Sequence, residues 1–442
     1  MRVAFGRIVT VAALLTLSAA PGAVPAAAAP CSSQWQVVPS ANPGNSGNVL
    51  SGVFAVGSTD VWAVGHSVVT TTVAGMPSTV TDTLIEHYDG TSWSAVQGAN
   101  TGGNPLLPST AGSLDAVWGS GPTDVWAVGR AGLIEHWNGS TWSAVSAAAN
   151  TQDLLGVWGS GPSDVWAVGS QTSGNATTGV TERWDGSSWS VVPGADSGAG
   201  AWAAVWGTGP GDVWAGGRPA SDLDQVPVEH WDGTAWSLTT LTPGPDGVGN
   251  EVDALTDVGS GQAWNASSGG GGSQPGYEVF ERWDGSAWQP IQAANEPNQG
   301  GAAHQQLYQL SGAAGSSASD VWFAGSYQPP DPNNPPYGVL PPQTYTVHFD
   351  GTQLSYVPSA DVTADDDFNR VTALPGEAWA VGQSIDPSTQ LPSTLVETVC
   401  ASGPAAGVAE TPLAQLLPLS ALAATGCFLS LRRRRQARLQ RR

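Results

Sequence analysis

Residues able to do chemistry recur along this 442-residue chain at regular spacing. Glu-His pairs stand at Glu86-His87, Glu135-His136 and Glu229-His230, and arginine takes the histidine place at Arg183 and Arg282. Glutamate and histidine together are acid–base and metal-ligating material. Convergence on one ion would need them close in space, however, and residues repeated once per structural unit fall on equivalent strands far apart. Their repetition predicts a structural role. An aspartate precedes Val-Trp at Asp60, Asp124, Asp164, Asp212 and Asp320, where it is expected to cap a hairpin turn through backbone N–H groups. Asp361, Asp365, Asp366 and Asp367 are dense enough to hold a calcium ion, although a solvated acidic loop accounts for the same residues. No Gly-x-Ser-x-Gly, His-Glu-x-x-His or Walker pattern is present, and no catalytic residue is assigned.

Charge narrows the field. Lysine is absent and the 14 basic residues are all arginine. Arg2 and Arg7 open the chain and seven more lie from Arg432 onward, so Arg130, Arg183, Arg218, Arg282 and Arg370 face all 36 carboxylates, a formal −31 between the termini. Such a surface repels phosphate backbones and excludes nucleic-acid binding.

The two ends read as addresses. Arg2 and Arg7, an apolar run from Ile8 to about Ala20 and the small residues Ala26 to Ala29 predict a signal peptide over residues 1–29. Pro30 departs from the small residue that a lipid-modified Cys31 would require. After a linker over 401–412, the 19 residues Leu413 to Leu431 would span about 29 Å as a helix, enough for one membrane crossing. The basic tail 432–442 is then cytoplasmic and everything before the helix extracellular. Leu422-Ala423-Ala424-Thr425-Gly426 looks like a sortase signal, but only five residues separate it from the arginines. Retention of the helix is the expectation.

Between these ends one unit recurs: an apolar strand, a tight turn, a strand Asp-Val-Trp-Ala-Val-Gly, a variable loop, a strand ending Glu-His-Trp-Asp-Gly, and a short Trp-Ser strand. The clearest copy runs from Leu114 to Val145. Second strands begin at Asp60, Asp124, Asp164, Asp212 and Asp320, with degenerate copies at Gln262 and Glu377, which makes seven. In Asp124 to Gly129 both alternating faces are apolar, so each sheet must be covered on both sides. Four strands buried on both faces and repeated seven times predict an all-β fold, a seven-bladed β-propeller over residues 31–400.

The seventh unit ends at Val399 without a Trp-Ser strand, and Gln34-Trp35-Gln36-Val37-Val38 supplies one at the other end of the chain. The expectation is a ring closed by the N-terminal strand, which leaves no sheet edge free. Cys31 and Cys400 then fall in the two halves of one hairpin turn, and in an oxidising compartment they are expected to form a disulfide. Closing a loop of 369 residues would contribute on the order of 5 kcal/mol through chain entropy.

The units resemble the secreted Trp-rich propeller repeats of high-GC bacteria, similar in turn to kelch and Asp-box (sialidase-type) blades. The residues carrying this are Asp89-Gly90-Thr91-Ser92-Trp93 and its copies, one residue short of the usual Asp-box spacing. Trp184-Asp185, Trp231-Asp232 and Trp283-Asp284 also look like WD40 dipeptides, without the accompanying Gly-His. A sialidase-like site implies clustered arginines on a carboxylate, and the five available are expected not to cluster. A galactose-oxidase-like copper site implies a Cys–Tyr cross-link, and the external cysteines are taken by closure.

Loop lengths direct the search instead. Turns on one face of the ring are short and uniform, while the opposite face carries loops of very different length at Ser67 to Asp82, Thr101 to Ser113, Ser267 to Gly276, Ser326 to Gln343 and Gln383 to Gln390. Variable loops on a rigid scaffold make binding surfaces. The Pro-rich stretch Pro329 to Pro342, with Tyr327 and Tyr337, is expected to wall a pocket. The reading is a monomeric, non-enzymatic binding or adhesion module for an extracellular glycan or protein. The alternatives are a glycan hydrolase or lyase built on loop carboxylates, and a structural envelope protein.

Overall fold

Each repeat folds into a four-stranded antiparallel sheet, because its strands alternate apolar residues on both faces and are separated by Gly-, Pro- and Asp-rich turns. The computed structural model describes residues 32–400 apart from internal segments, the longest of which are 100–111, 220–226, 242–250 and 295–306. Among the described residues seven such sheets are present. Six are contiguous in sequence: blade 1 (47–95), blade 2 (114–146), blade 3 (151–191), blade 4 (199–240), blade 5 (251–291) and blade 6 (307–356). Blade 7 takes three strands from 366–399, and its outermost strand is Gln36–Val37 from the other end of the chain. Gln36 lies opposite Thr398 and Val37 opposite Glu397. The Cys400 N–H donates to the Ser32 carbonyl at 2.7 Å, so the two chain ends run side by side. Cys31 lies outside the described residues, as do the signal sequence, the linker, the apolar run 413–431 and the basic tail. Among the described residues no helix is long and apolar enough to cross a membrane.

Tryptophan joins the blades. Each second-strand Trp meets the fourth-strand Trp of the next blade edge-on: Trp62 with Trp142 (ring centroids 5.4 Å apart), Trp126 with Trp189 (5.4 Å), Trp166 with Trp236 (5.3 Å) and Trp214 with Trp288 (5.6 Å). Trp379 of blade 7 meets Trp93 of blade 1 in the same way at 5.6 Å. Trp35, immediately before Gln36–Val37, fills the fourth-strand Trp place against Trp322 of blade 6 at 5.4 Å. Blade 6 carries Leu354 at that place, and Trp264 of blade 5 packs on Phe349 instead.

The second strand ends in glycine for a reason visible in its neighbour. A Cβ on Gly169 would stand 1.9 Å from the Asp153 carbonyl oxygen, and one on Gly382 only 1.8 Å from that of Asp367. Opposite this position, glycine in six blades and Ser267 in blade 5, every inner strand is irregular. The register slips between Leu50 and Gly52, Leu114 and Ala116, Leu154 and Gly156, Trp202 and Ala204, Val252 and Ala254, Leu310 and Gly312, and Phe368 and Arg370. One extra residue per blade is thus turned out of the ladder toward the ring axis, as a β-bulge does.

Candidate functional site

The repeated residues of the third strand are absorbed into the scaffold. Glu86 accepts the Ala41 N–H at 3.0 Å, Glu135 that of Ala99 at 2.8 Å, Glu182 that of Ala148 at 2.9 Å and Glu397 that of Ala360 at 3.0 Å. Each glutamate thereby holds the segment that enters its blade from the preceding one. All four are buried, and burial pushes Glu86 up to about 7 and Glu397 up to about 8, with the backbone bond opposing. The adjacent histidine points the other way. His87, His136, His230 and His348 lie 2.8, 2.6, 2.8 and 2.9 Å from Asp60, Asp124, Asp212 and Asp320. Each stacks on the Trp of its own second strand at 4.0–4.3 Å. Arg183 does the same in blade 3, with Nε 2.6 Å from Asp164 and the guanidinium over Trp166.

These aspartates correct one expectation. They bind side chains rather than capping a turn through backbone N–H groups: Asp124 takes the Ser120 hydroxyl at 2.5 Å and the Trp126 indole N–H at 3.2 Å, and Asp320 takes Ser316 and Trp322 alike. The turn capping falls to Asp89, Asp185, Asp232, Asp284 and Asp350. Each accepts two backbone N–H bonds and a hydroxyl bond, which hold its carboxyl near 2.

The acidic cluster before blade 7 is likewise spent one side chain at a time. Asp366 accepts from the Val362 and Thr363 N–H groups and the Thr363 hydroxyl, Asp361 accepts from Thr344, and Asp367 accepts from Gln383 at 3.4 Å. Asp366 and Asp367, as sequence neighbours on a strand, face opposite ways. Among the described residues no group of three or more such side chains is placed to hold a metal ion, which corrects the calcium expectation for Asp361, Asp365, Asp366 and Asp367. Tyr327 is buried and donates its hydroxyl to Gln343 at 2.9 Å, so it belongs to the core and walls no pocket; Tyr337 lies outside the described residues.

The residues that do converge are others. A basin of about 680 Å³ opens at the ring axis, within the range of cavities that take small ligands. Its wall comes from the bulges, which aim Ser51, Asp115, Leu155, Ala203, Ser311 and Asn369 inward. A second ring of residues comes from the position just after the second-strand glycine: His66, Arg130, Arg218 and Gln383. Both positions lie at the ends of the strands that carry the variable loops, so the basin is on that face.

Three of the five arginines between the termini, Arg130, Arg218 and Arg370, line it, against the expectation that they would not cluster. Arg370 follows the bulge of blade 7. One Nη donates to the Ser311 carbonyl of blade 6 at 2.5 Å, and the other reaches across the axis to the Leu155 carbonyl of blade 3 at 3.3 Å. It floors the basin, and beneath it only about 70 Å³ of largely apolar channel remains. Arg130 contacts Asp115 at 3.2 Å and Asp153 at 3.5 Å and is 47% exposed. An adjoining hollow of about 550 Å³ extends outward from His66 and Arg130 over Thr81, Ser113 and Gln152.

Burial raises Asp115 to about 6 in spite of Arg130 and Arg370 beside it. Burial and then Arg130 push His66 below its ordinary value. The basin thus sets three arginines against one carboxylate, Asp115, within a strongly acidic molecule. Such an arrangement can hold an anion by charge-assisted hydrogen bonds. Sequence reasoning missed it because the arginines sit in different blades, although one signal was available: the residue after the second-strand glycine changes from blade to blade while its neighbours repeat.

No protein-family model matches the chain, and no curated protein matches it in sequence. Solved structures match its fold. The structure of YCF48 bound to D1 peptide is 15% identical with a TM-score of 0.50, over 83% of this chain and 96% of that one. YCF48 from Cyanidioschyzon merolae is 14% identical at a TM-score of 0.50, over 83% and 99%. The RRP9 WD40 repeats are 11% identical at 0.51, over 84% and 98%. At these identities the likeness establishes the β-propeller and does not single out kelch or Asp-box blades.

Proposed function

We propose that this chain is an extracellular binding module, of the Trp-rich propeller type, whose variable-loop face takes a glycan or protein ligand at the ring axis. The observation that carries the reading is the axial basin, whose 16 lining residues include three arginines from separate blades and one carboxylate, Asp115. Burial and Arg130 lower His66 toward its neutral form, whereas Asp115, at about 6, is ionised at neutral pH and pairs with Arg130 at 3.2 Å. That YCF48, a protein of similar fold, was solved with a peptide supports a binding role for such a ring.

The address completes the proposal. Residues 1–29 direct export, residues 413–431 hold the protein in the membrane and the arginine-rich tail stays in the cytoplasm. The pairing of Gln36–Val37 with Pro392–Val399 serves as the clasp of the ring, and a Cys31–Cys400 disulfide locks it. The decisive experiment is capture of cell-wall and host polymers by the purified protein on a glycan array and by pull-down. Specific retention of at least one glycan or protein is expected. No retention of any polymer would sink the proposal in favour of a structural envelope protein.

A further inference from the structure

One turn departs from the chemistry of its copies. Between the third and fourth strands, blades 1, 3, 4, 5 and 6 carry Asp-Gly, beginning at Asp89, Asp185, Asp232, Asp284 and Asp350, and blade 2 carries Asn138-Gly139. No other Asn-Gly step occurs in the 442-residue sequence. Asn138 is held as the aspartates are: its Oδ1 accepts the Ser140 N–H at 3.0 Å, the Ser140 hydroxyl at 2.8 Å and the Thr141 N–H at 3.0 Å. Three donors on one carbonyl oxygen draw charge from Cγ and stabilise an oxyanion formed there. The bond from the Ser140 N–H also folds the side chain back over the Gly139 peptide, as an Asx-turn does. Among the described residues the Gly139 N–H makes no hydrogen bond, and Nδ2 of Asn138 donates only to the Thr141 hydroxyl, at 3.4 Å. The turn is exposed, and Gly139 sits at φ +92°, where a Cβ would stand 2.7 Å from Thr123. An activated carbon, an amide nucleophile free to react and a loosely held leaving group thus share one solvent-open turn.

We propose that Asn138 is a self-modifying site, converted to aspartate through the Gly139 nitrogen. Hydroxide from solvent removes the Gly139 N–H proton, and the nitrogen attacks Cγ of Asn138. The Cγ–Nδ2 bond breaks, ammonia leaves with a proton from water, and a cyclic imide remains. Water then adds at Cγ, the bond from Cγ to the Gly139 nitrogen breaks, and that nitrogen regains its proton. The sum is asparagine plus water to aspartate plus ammonium, with no oxidant, reductant or cofactor. Opening at the main-chain carbonyl would instead insert Cβ into the backbone of a turn closed by the Trp137–Trp142 pair and the Asn138 N–H on the Thr141 carbonyl. The fold therefore selects aspartate, the residue that the other five turns already carry. Those five are held ionised, with carboxyls near 2, and an ionised carboxylate is a poor electrophile, so they do not follow the same path. The modification is independent of what the basin binds.

The test is incubation of the purified full chain in detergent at pH 8 and at pH 5, followed by mass-spectrometric peptide mapping and an isoaspartate assay. The same chain unfolded in denaturant is the comparison arm. Asn138 should lose its amide before any other asparagine, and several-fold faster at pH 8, because attack needs the deprotonated nitrogen. The isoaspartate share of the product should be smaller in the folded protein than in denaturant. Asn138→Gln, whose longer side chain must close a larger ring, should keep its amide over the same period. Ser140→Ala, which removes one donor from Oδ1, should slow conversion about 2- to 10-fold. If either variant fails to fold, the folded–unfolded comparison of the unaltered protein carries the test. Retention of the Asn138 amide in the folded protein while the unfolded chain converts would overturn the proposal. So would an equal or larger isoaspartate share in the folded protein, or earlier loss of the amide at another asparagine.

Discussion

The buried glutamate that fastens each blade link is the residue with the most to say about pH. Glu86, Glu229 and Glu397 are raised by burial to about 7, 7 and 8, from an unfolded value of 4.5. The folded state therefore binds their protons more tightly than the unfolded state does. Their contribution to stability is greatest below about pH 4.5 and declines as pH rises through 7 to 8. The turn aspartates act in the opposite sense. Asp89, Asp185, Asp232, Asp284 and Asp350 are held near 2, so their contribution is present above 3.8 and fades as pH falls toward 2. Stability should peak near pH 4 to 5. Calorimetry is expected to show Tm higher at pH 5 than at pH 8 by several degrees; a Tm that rises steadily to pH 8 would contradict this account. One substitution isolates the cause. Glu397→Gln keeps an oxygen for the Ala360 N–H and has no charge to desolvate, so at pH 8 it should be neutral or stabilising, and the slope of Tm with pH should flatten. Glu397→Ala, which leaves that N–H without its acceptor, should cost about 1–3 kcal/mol in denaturant unfolding.

At the scale of the strand, the glycine closing Asp-Val-Trp-Ala-Val-Gly and the bulge facing it are one device. The inner strand's carbonyl approaches so closely that no side chain fits at Gly169 or Gly382. The same irregularity turns one residue per blade toward the axis; blade 5 keeps its bulge with Ser267 at the glycine position, so the glycine accommodates the close approach without being required for the bulge. Gly169→Ala is expected to destabilise the protein by about 2–4 kcal/mol, as overpacking against rigid backbone does, read as a lowered denaturant midpoint. Gly161→Ala, at a turn where a Cβ meets nothing within 4 Å, should change it by less than about 1 kcal/mol. Equal effects at the two positions would remove the bulge from the explanation. The glycine was legible in the repeat; the bulge was not, because a register slip is a property of two paired strands and leaves no mark in either alone.

For the whole molecule, the pairing of Gln36–Val37 with Pro392–Val399 is the contact that the proposed closure of the ring rests on. Trp35 packs against Trp322 and Phe368, joining the N-terminal strand to blades 6 and 7. Trp35→Ala should cost about 3–5 kcal/mol, the usual loss for a large buried aromatic, and proteolysis should then begin near the chain ends. Cys31→Ser and Cys400→Ser are each expected to lower Tm, and non-reducing mass mapping should recover a peptide joining the two positions. Free thiols at both would discard the lock while leaving the strand pairing in place.

The amino-acid sequence alone determined the seven-fold repetition and the four-strand unit, because these follow from local periodicity. It also located where the blades differ in length, although Ser67 to Asp82 and Ser267 to Gly276, expected as loops, are extended hairpin strands paired through Val73↔Met76 and Gly271↔Gln274. Only the tertiary structure decided that Arg130, Arg218 and Arg370 share one basin, since they come from blades 2, 4 and 7 and are brought together by ring curvature and strand bulges. Only it decided that Asp361, Asp366 and Asp367 go into separate hydrogen bonds, with Asp366 and Asp367 on opposite faces of their strand. Repetition writes the scaffold plainly; the site is written in the positions where the repeats disagree, and its meaning appears only when the ring sets those positions face to face.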